Sequence, residues 1–263
     1  MLQVLTIASS DSGSGAGIQA DIKTFAAMGV FGTSVIVALT AQNTKEVRSV
    51  FAVDVKFIED QLDVIFEDFD IKAIKIGMLF DEKIIAIVSQ KLQQYKAQNI
   101  VLDPVMISKS GAKLLKDTSI KMMKEKLMPI ASLITPNIPE AMELTGTKIE
   151  NIKEMEEAAR LISELGCKNV LLKGGHLKDE IITDVLYNEN NFYYFKSQKI
   201  ATKNTHGTGC TYSSAIAANL AKSFDMVQAV SKAKEYVFNT IKHADKLMVG
   251  KGFGPLNHFY FID

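Results

Sequence analysis

Short β-rich runs alternate with amphipathic helical runs along the chain, and this alternation limits the possible folds more than any other feature. The apolar run 3–8 is followed by a helical pattern in which Ile18 and Phe25 share one face. The same order recurs with the run 32–41 and the helical stretch 54–69. Strands joined through helices usually pair in parallel, and a parallel sheet needs helices over both faces. The sequence therefore predicts an α/β fold with a mostly parallel central sheet.

The remaining segments continue this order. Further strands are predicted at 73–77, 99–102, 132–135 and 168–172, a hairpin at 180–199, and further helices at 81–95, 117–127, 141–145, 151–165 and 226–247, with another helix ending near 222. The 263 residues are 47% hydrophobic and show no repeat or linker. We therefore expect residues 1–263 to form a single domain.

The charge balance and the cysteines restrict the partners and the compartment. Lys plus Arg and Asp plus Glu number 30 each, so no net field attracts nucleic acid or an anionic membrane, and a small molecule is the expected partner. The apolar run 3–8 has no basic residue before it and is too short for a signal peptide or a membrane span. Cys167 and Cys210 lack Cys-x-x-Cys or zinc-type spacing, which indicates the reducing cytoplasm.

The segment 204–218 changes from small polar residues to a helix-forming apolar sequence. Gly207, Thr208 and Gly209 precede the helical part, so we expect backbone N–H groups at a helix start, which is typical of a phosphate or oxyanion site. Cys210 falls in the first helical turn, where the positive potential favours a thiolate, and it is a candidate base. The segment alone fits equally well a turn before a packed helix, with Cys210 as a small buried side chain.

Two common nucleotide-binding motifs are excluded by spacing. Glycines follow the first strand at positions 13, 15 and 17, and Ile18 comes next, so Gly-x-Gly-x-x-Gly does not occur. The chain also lacks Gly-x-x-x-x-Gly-Lys-Ser/Thr, which excludes a P-loop. Any nucleotide site must therefore use other groups. Asp21, in the helix after these glycines, is either a functional carboxylate or a surface carboxylate near the helix N-terminus.

Polar side chains stand at the carboxyl ends of several predicted strands, where ligands bind in open α/β sheets. Gln42 offers the donor and acceptor pair that an aminated heterocycle needs, although a turn-capping amide would look the same. Asp103 and Glu140 suit a divalent cation, while Asn137, three residues before Glu140, also suits helix capping. The segment Lys173-Gly174-Gly175-His176 suits phosphate or a solvated loop.

A series of ordered motifs makes the chain similar to a known family. The motifs are Ala16-Gly17-Ile18-Gln19-Ala20-Asp21-Ile22-Lys23-Thr24, Ala41-Gln42-Asn43-Thr44, Lys75-Ile76-Gly77-Met78, Asp103-Pro104-Val105-Met106, Thr135-Pro136-Asn137-Ile138-Pro139-Glu140-Ala141, Lys173-Gly174-Gly175-His176, His206-Gly207-Thr208-Gly209-Cys210 and Gly254-Pro255-Leu256-Asn257-His258. From Ile7 to Phe259 the chain resembles the ribokinase superfamily, and within it the hydroxymethylpyrimidine/phosphomethylpyrimidine kinases of thiamine biosynthesis.

The resemblance implies a three-layer αβα fold and a homodimer. It also implies that ATP and Mg²⁺ are used to phosphorylate 4-amino-5-hydroxymethyl-2-methylpyrimidine, and then its monophosphate to the diphosphate. The implied site residues fall into four groups: Ser9, Ala16, Asp21, Gln42 and Met78 for the pyrimidine; Asp103 and Glu140 for Mg²⁺; Lys173, Gly174, Gly175 and His176 for ATP; and Gly207, Thr208, Gly209 and Cys210 for the anion hole, with Cys210 as the base.

Two departures and two alternatives accompany this resemblance. Ser9 stands where the family usually has glycine, and Ser14 interrupts its consecutive glycines. A pyridoxine or pyridoxal kinase is the nearest alternative, but a pyridoxal ring lacks the amino donor that would pair with Gln42. The second alternative is a non-catalytic ligand-binding relative, which would need neither the carboxylate of Asp103 nor the thiol of Cys210.

Overall fold

Nine strands and eight α-helices follow the predicted alternation in a computed structural model that describes residues 1–106, 115–177 and 180–262. The strands are β1 (Gln3–Asp11), β2 (Phe31–Gln42), β3 (Val47–Ala52), β4 (Ile71–Ile76), β5 (Ile100–Leu102), β6 (Leu133–Ile134), β7 (Val170–Leu172), β8 (Ile181–Asn188) and β9 (Asn191–Gln198). The helices are α1 (Gly17–Ala27), α2 (Val55–Asp68), α3 (Glu82–Gln94), α4 (Asp117–Met122), α5 (Ile138–Thr145), α6 (Ile152–Glu164), α7 (Thr208–Ala221) and α8 (Met226–Lys242).

All nine strands belong to one sheet, in the order β3-β2-β1-β4-β5-β6-β7-β8-β9. The six strands from β2 to β7 in this order pair in parallel, whereas β3, β8 and β9 pair antiparallel at the two edges. The predicted mostly parallel sheet is therefore confirmed, as is the hairpin. Strand β3 was not predicted, because most of its side chains are exposed and its sequence shows no clear apolar alternation.

Successive residues of each strand face opposite sides of the sheet, and each side carries its own core. Leu5 and Ile7 of β1 face the core covered by α2 to α6, whereas Val4 faces the core covered by α1, α7 and α8. This arrangement confirms the three-layer αβα fold. Among the helices of the described residues, none combines the length and the apolar content needed to span a bilayer.

Helix boundaries differ from the prediction mainly where the helix type changes. The helix predicted at 117–127 is α-helical only to Met122 and continues as a π-helical turn over Met123–Leu127. The last helix ends at Lys242, and a 3₁₀ turn follows over Ala244–Lys246.

Helix α7 is buried from Thr211 to Ala221, because the sheet lies on one side of it and α1 and α8 lie on the other. Its small side chains allow this close packing. Its N-terminus reaches the carboxyl ends of the parallel strands, where Gly207 has a φ of +85° and a Cβ would stand 1.9 Å from the carbonyl oxygen of Gly15. Only glycine fits this position, so the packing sets where the helix begins.

Candidate active site

The start of α7 lies at the carboxyl edge of the sheet and has the geometry that could hold an anion. The first hydrogen bond inside the helix runs from the Thr211 N–H to the Gly207 carbonyl, at 2.9 Å. The N–H groups of Gly209 and Cys210 precede that bond, so they cannot be satisfied within the helix and face outward from its positive end. We call residues 207–210 the anion cradle; its position at the predicted helix start agrees with the sequence analysis.

Lys173 and Asp103 lie beside the anion cradle. The Lys173 Nζ is 2.9 Å from the Asp103 Oδ1, and a Cβ on Gly209 would lie 3.4 Å from that Nζ and 3.5 Å from the Asp103 Oδ2. Burial acts to lower the pKa of Lys173, but the Asp103 and Glu140 carboxylates outweigh it and raise that pKa. Lys173 is therefore a fixed cation next to N–H groups that favour an anion.

The other residues of the predicted ATP segment behave differently from Lys173. The Gly174 N–H donates to the Asp184 Oδ1 at 2.9 Å, and a Cβ on Gly174 would stand 1.9 Å from the Thr183 carbonyl oxygen. Gly174 is thus committed to packing against β8, while Gly175 and His176 are exposed.

Glu140 combines helix capping with a place near the other carboxylate. Its side chain accepts a hydrogen bond from the Asn137 N–H at 2.8 Å, while the Asn137 side chain accepts one from the Glu140 N–H at 2.9 Å. Burial raises the pKa of Glu140 to about 7; Lys173 lowers it, and Asp103 raises it further. The capping expected of Asn137 is confirmed, and this geometry is also compatible with a functional carboxylate at Glu140.

Asp21 is not the surface carboxylate that one alternative proposed. It is fully buried, and its two oxygens accept hydrogen bonds from Thr6 Oγ1 at 2.6 Å, Ser214 Oγ at 2.7 Å and Lys75 Nζ at 2.8 Å. The surface interpretation is wrong, because α1 turns this residue toward α7 and the sheet. Its carboxylate holds Lys75 rather than presenting free oxygens to a ligand.

Lys75 is a residue that the sequence analysis quoted in a motif but did not single out. It is fully buried in β4, and although burial acts to lower its pKa, the charges of Asp21, Cys210 and Asp103 raise it. Its place between Ile74 and Ile76 in a predicted central strand is the signal that could have found it, because a buried ammonium requires a partner.

The pKa of the Cys210 thiol is shifted in the direction opposite to the one predicted from its place at a helix start. Cys210 does lie in the first turn of α7, but burial raises the pKa of its thiol to about 11; Lys75 lowers that pKa, whereas Asp21 and Asp103 raise it. Burial and two nearby carboxylates therefore outweigh the lysine and act against the expected thiolate.

Four of the five residues predicted to contact a pyrimidine, all except Asp21, surround the ends of β1, β2 and β4. Ser9 Oγ donates to the Met78 carbonyl at 3.1 Å, so the extra side chain ties two strand ends together. The Ala16 N–H donates to Asp11 Oδ2 at 2.9 Å, and Gln42 is half-buried with its side chain against His206. The four are thus grouped at one edge, next to the anion cradle.

Asp11 organises this edge although the sequence analysis did not select it. Its carboxylate accepts hydrogen bonds from the N–H groups of Gly13, Gly15 and Ala16 and contacts His206 Nε2 at 2.9 Å. Burial acts to raise the pKa of Asp11, but the His206 hydrogen bond and the Ala16 and Gly13 N–H groups lower it overall. The position of Asp11 shortly after the predicted strand 3–8 is the only sequence signal for this organising role.

Comparisons with known proteins place the chain in one family. Residues 11–257 match the phosphomethylpyrimidine kinase family. The chain is 48% identical over 255 residues to the thiamine biosynthesis bifunctional protein ThiED of Geobacter sulfurreducens, covering 97% of this chain but only 52% of that protein. It is 45% identical over 260 residues to the hydroxymethylpyrimidine/phosphomethylpyrimidine kinase of Escherichia coli, covering 98% of both chains.

A solved structure of a second kinase also matches closely. The ADP complex of Bacillus subtilis pyridoxal kinase superposes with a TM-score of 0.91 at 35% identity, covering 99% of this chain and 98% of that one. The mostly parallel sheet and the similarity to these kinases define an enzyme of the ribokinase-like class of phosphotransferases. Within that class, the chain belongs to the phosphomethylpyrimidine kinase family, which confirms the resemblance noted in the sequence.

Proposed function

We propose that the protein phosphorylates the hydroxymethyl group of 4-amino-5-hydroxymethyl-2-methylpyrimidine and then its monophosphate, in thiamine biosynthesis. The observation that carries this proposal is the amide of Gln42, half-buried at the edge that also holds the anion cradle. An amide pairs a donor and an acceptor with a 4-aminopyrimidine edge. The full-length relative from Escherichia coli supports the same substrate by its name.

ATP is the proposed phosphoryl donor, with the cradle and Lys173 around the transferred group. N–H groups at a helix start and a fixed lysine stabilise the charge of a loose phosphoryl transition state, which needs positioning more than covalent chemistry. Gly174, Gly175 and His176 continue from Lys173 along the path proposed for the nucleotide. The ADP complex of the Bacillus subtilis kinase supports a nucleotide site in this fold.

Mg²⁺ is the proposed metal, held by Glu140 and Asp103. Within the described residues no group of three or more His, Cys, Asp or Glu side chains is arranged to hold a metal ion. Two carboxylates fit Mg²⁺, which takes one or two of them together with phosphate and water oxygens. The carboxylate of Asp103 raises the pKa of Glu140, so a bound cation would relieve this repulsion. When bound, Mg²⁺ would neutralise charge on the phosphates.

Cys210 is the proposed group that receives the hydroxyl proton. Its thiol lies in the cradle, and because its pKa is raised to about 11 it must first release its own proton to solvent before it can accept the proton of the substrate hydroxyl. The Asp103 carboxylate is one cause of that raised pKa, so compensating the charge of Asp103 would favour the thiolate. Lys75 would then balance the thiolate charge from beneath the cradle.

Pyridoxal phosphorylation is the second candidate activity, because a pyridoxal kinase superposes over nearly the full chain. Coupled measurement of ADP release with each substrate decides between them. We expect ADP release that requires both Mg²⁺ and the aminopyrimidine, with a higher kcat/KM than for pyridoxal. Faster turnover of pyridoxal would reverse the assignment, and ATP consumption without either substrate would contradict it.

We also propose that residues 1–263 act as one domain within a homodimer in the cytoplasm. The continuous sheet supports a single domain, and the exposed apolar side chains at the β2 and β3 edge support association. The absence of a disulfide between Cys167 and Cys210, both free thiols, is compatible with a reducing compartment.

A further inference from the structure

Hydrogen bonds fix the backbone of Gln42, and two neighbouring side chains contact its amide. The backbone N–H of Gln42 donates to Ser12 Oγ at 2.9 Å, and its carbonyl accepts from the same hydroxyl at 2.7 Å. This clamp fixes where the side chain starts. The amide end lies between His206, whose Nε2 is 3.1 Å from the Gln42 Nε2, and Thr40, whose Oγ1 is 3.2 Å from the Gln42 Oε1.

The contact with His206 is inconsistent with an amide nitrogen at that position. Asp11 accepts three backbone hydrogen bonds, so its carboxylate is an acceptor, and the Nε2 of His206 at 2.9 Å must carry the proton between them. A protonated Nε2 has no lone pair left. It cannot accept from the Gln42 NH₂, whether the ring is neutral or doubly protonated, so the amide atom beside it must be the oxygen.

The contact with Thr40 leads to the same conclusion independently. The Thr40 hydroxyl has one proton, and its Oγ1 lies 2.9 Å from the Ser10 carbonyl as well as 3.2 Å from the Gln42 Oε1. That proton cannot serve two acceptors well. If the amide is turned by 180°, its NH₂ donates to the Thr40 oxygen, and the Thr40 proton remains with Ser10.

One rotation of the amide therefore replaces a donor–donor contact at His206 with a three-centre hydrogen bond that its Nε2–H shares between Asp11 and Gln42, and it leaves the Thr40 proton with Ser10. We infer that the Gln42 oxygen faces His206 and its NH₂ faces Thr40, so that these two residues set the orientation in which Gln42 meets the substrate ring. His206 is in turn held by Asp11 and by Gly15, where a Cβ would stand 2.2 Å from the His206 Cδ2. His206 and Thr40 are thus positioning residues for specificity.

This inference rests on the proposed function and predicts how the pyrimidine lies. The amide keeps one acceptor site on the His206 side and one donor hydrogen on the Thr40 side. The 4-amino group of the ring must then lie toward His206 and the ring nitrogen N3 toward Thr40. Carbon C5 follows C4 around the ring, so its hydroxymethyl group lies on the His206 side of the ring. The opposite amide orientation would point it away.

The orientation itself is measurable without any substrate. Nuclear Overhauser contacts from the Gln42 side-chain NH₂ distinguish the Thr40 methyl group from the His206 ring protons. We expect contacts with Thr40 that are stronger than those with His206. A dominant contact with the His206 ring would overturn the inference, whatever the protein is found to phosphorylate.

Substrate discrimination tests the functional consequence. A 4-oxo analogue of the pyrimidine reverses the donor and acceptor order, so a fixed amide should reject it. We expect His206→Leu and Thr40→Val to free the amide, which can then rotate and pair with the 4-oxo analogue. The amino-over-oxo ratio of kcat/KM should therefore fall by about tenfold or more. His206→Gln and Thr40→Ser, which keep a donor and a hydroxyl, should retain most of the ratio.

The outcomes separate this inference from the proposed function. Equal loss of activity on both pyrimidines in His206→Leu and in Thr40→Val, with the ratio unchanged, would overturn the positioning role. Because Thr40→Val keeps the side-chain shape, it remains informative if His206→Leu folds poorly. A wild-type protein that consumes no ATP with either pyrimidine would instead contradict the proposed function, while the amide contacts would still decide the orientation.

Discussion

At the scale of single residues, Cys210 shows how a buried site can reverse an expectation drawn from local sequence. A thiol at a helix start is normally acidified, yet this one lies among Asp21, Asp103 and Lys75, and burial raises its pKa to about 11. Burial and the charges of the Asp21 and Asp103 carboxylates together disfavour a further negative charge there. The thiol is thus a proton carrier that needs a change in its surroundings before it acts as a base.

Alkylation kinetics test this state of Cys210. In the protein without ligands we expect the rate with iodoacetamide to rise about tenfold per pH unit between pH 8 and 10, because the thiolate fraction grows that steeply below the pKa. Modification is followed by mass spectrometry of the peptide that contains Cys210. Cys167, which is fully buried and whose pKa burial raises to about 12, serves as the internal control. A rate that levels off below pH 8 would show an acidic thiol instead.

The Lys75 and Asp21 pair gives a second prediction at this scale. Lys75→Met leaves the Asp21 carboxylate fully buried without its cation, so we expect the free energy of unfolding to fall by about 3–5 kcal/mol. Urea denaturation measures it. The exposed pair of Lys148 and Glu150, with side chains 73% and 62% exposed, is the matched control, and Lys148→Met should change stability little. Equal effects of the two substitutions would contradict the burial argument.

At the scale of elements, α7 carries the cradle and is anchored from behind by the C-terminal segment. His258 Nε2 lies 3.0 Å from the Thr211 hydroxyl of α7, and the Tyr236 hydroxyl of α8 donates to the His258 carbonyl at 2.9 Å. His258 is 2% exposed. It therefore joins two helices at the residue that directly follows the cradle.

The buried imidazole makes this anchor sensitive to pH. Burial lowers the pKa of His258 to about 4; the charge of Lys23 lowers it too, and the Leu256 backbone partly opposes them. The unfolded chain takes up this proton below about pH 6.5, whereas the folded protein takes it up only near pH 4, so stability falls as the pH drops through that window. Stability lost in this way is regained as the pH rises above 6.5.

Replacement of His258 tests that linkage. We expect His258→Gln to lose less stability than the wild type between pH 7 and pH 5, by about 2 kcal/mol, because glutamine takes up no proton. Urea denaturation at the two pH values, compared as a difference between the proteins, removes the shared titration of carboxylates. Parallel losses in both proteins would exclude His258 as the cause.

At the scale of the whole molecule, the sheet ends in an apolar edge that is open on one side. Leu39 of β2 pairs with Phe51 of β3, and these side chains on the same face are 45% and 69% exposed. An exposed edge strand with apolar side chains is a surface for association. This edge extends from the same strand that carries Gln42, so dimer formation would cover the region next to the substrate site.

The assembly state tests the use of that edge. We expect the wild type to elute as a dimer in size-exclusion chromatography with light scattering, and Phe51→Glu to shift it to monomer by burying a charge in the interface. Phe57→Glu is the control, because Phe57 is also well exposed, at 60%, but lies on α2. A monomeric wild type at micromolar concentration would contradict the homodimer proposal.

Much of this architecture was predictable because it depends on short spacings. The order of strands and helices, the polar residues at strand ends and the helix start after Gly207 all follow from patterns within about ten residues. Strand β3 was not predicted, because its exposure at the edge of the sheet removes the alternation of apolar and polar residues on which strand prediction depends. The family could also be identified at this level, since its motifs are local.

The sequence by itself determined which groups reach the carboxyl edge of the sheet, because strand ends and helix starts are encoded by neighbouring residues. Only the tertiary structure decided what those groups are doing there. Asp21 meets Ser214 across 193 positions, and Asp11 meets His206 across 195. The protonation of Cys210, the burial of Lys75 and the orientation of Gln42 depend on summed charge and solvent exclusion, which arise when distant segments pack together.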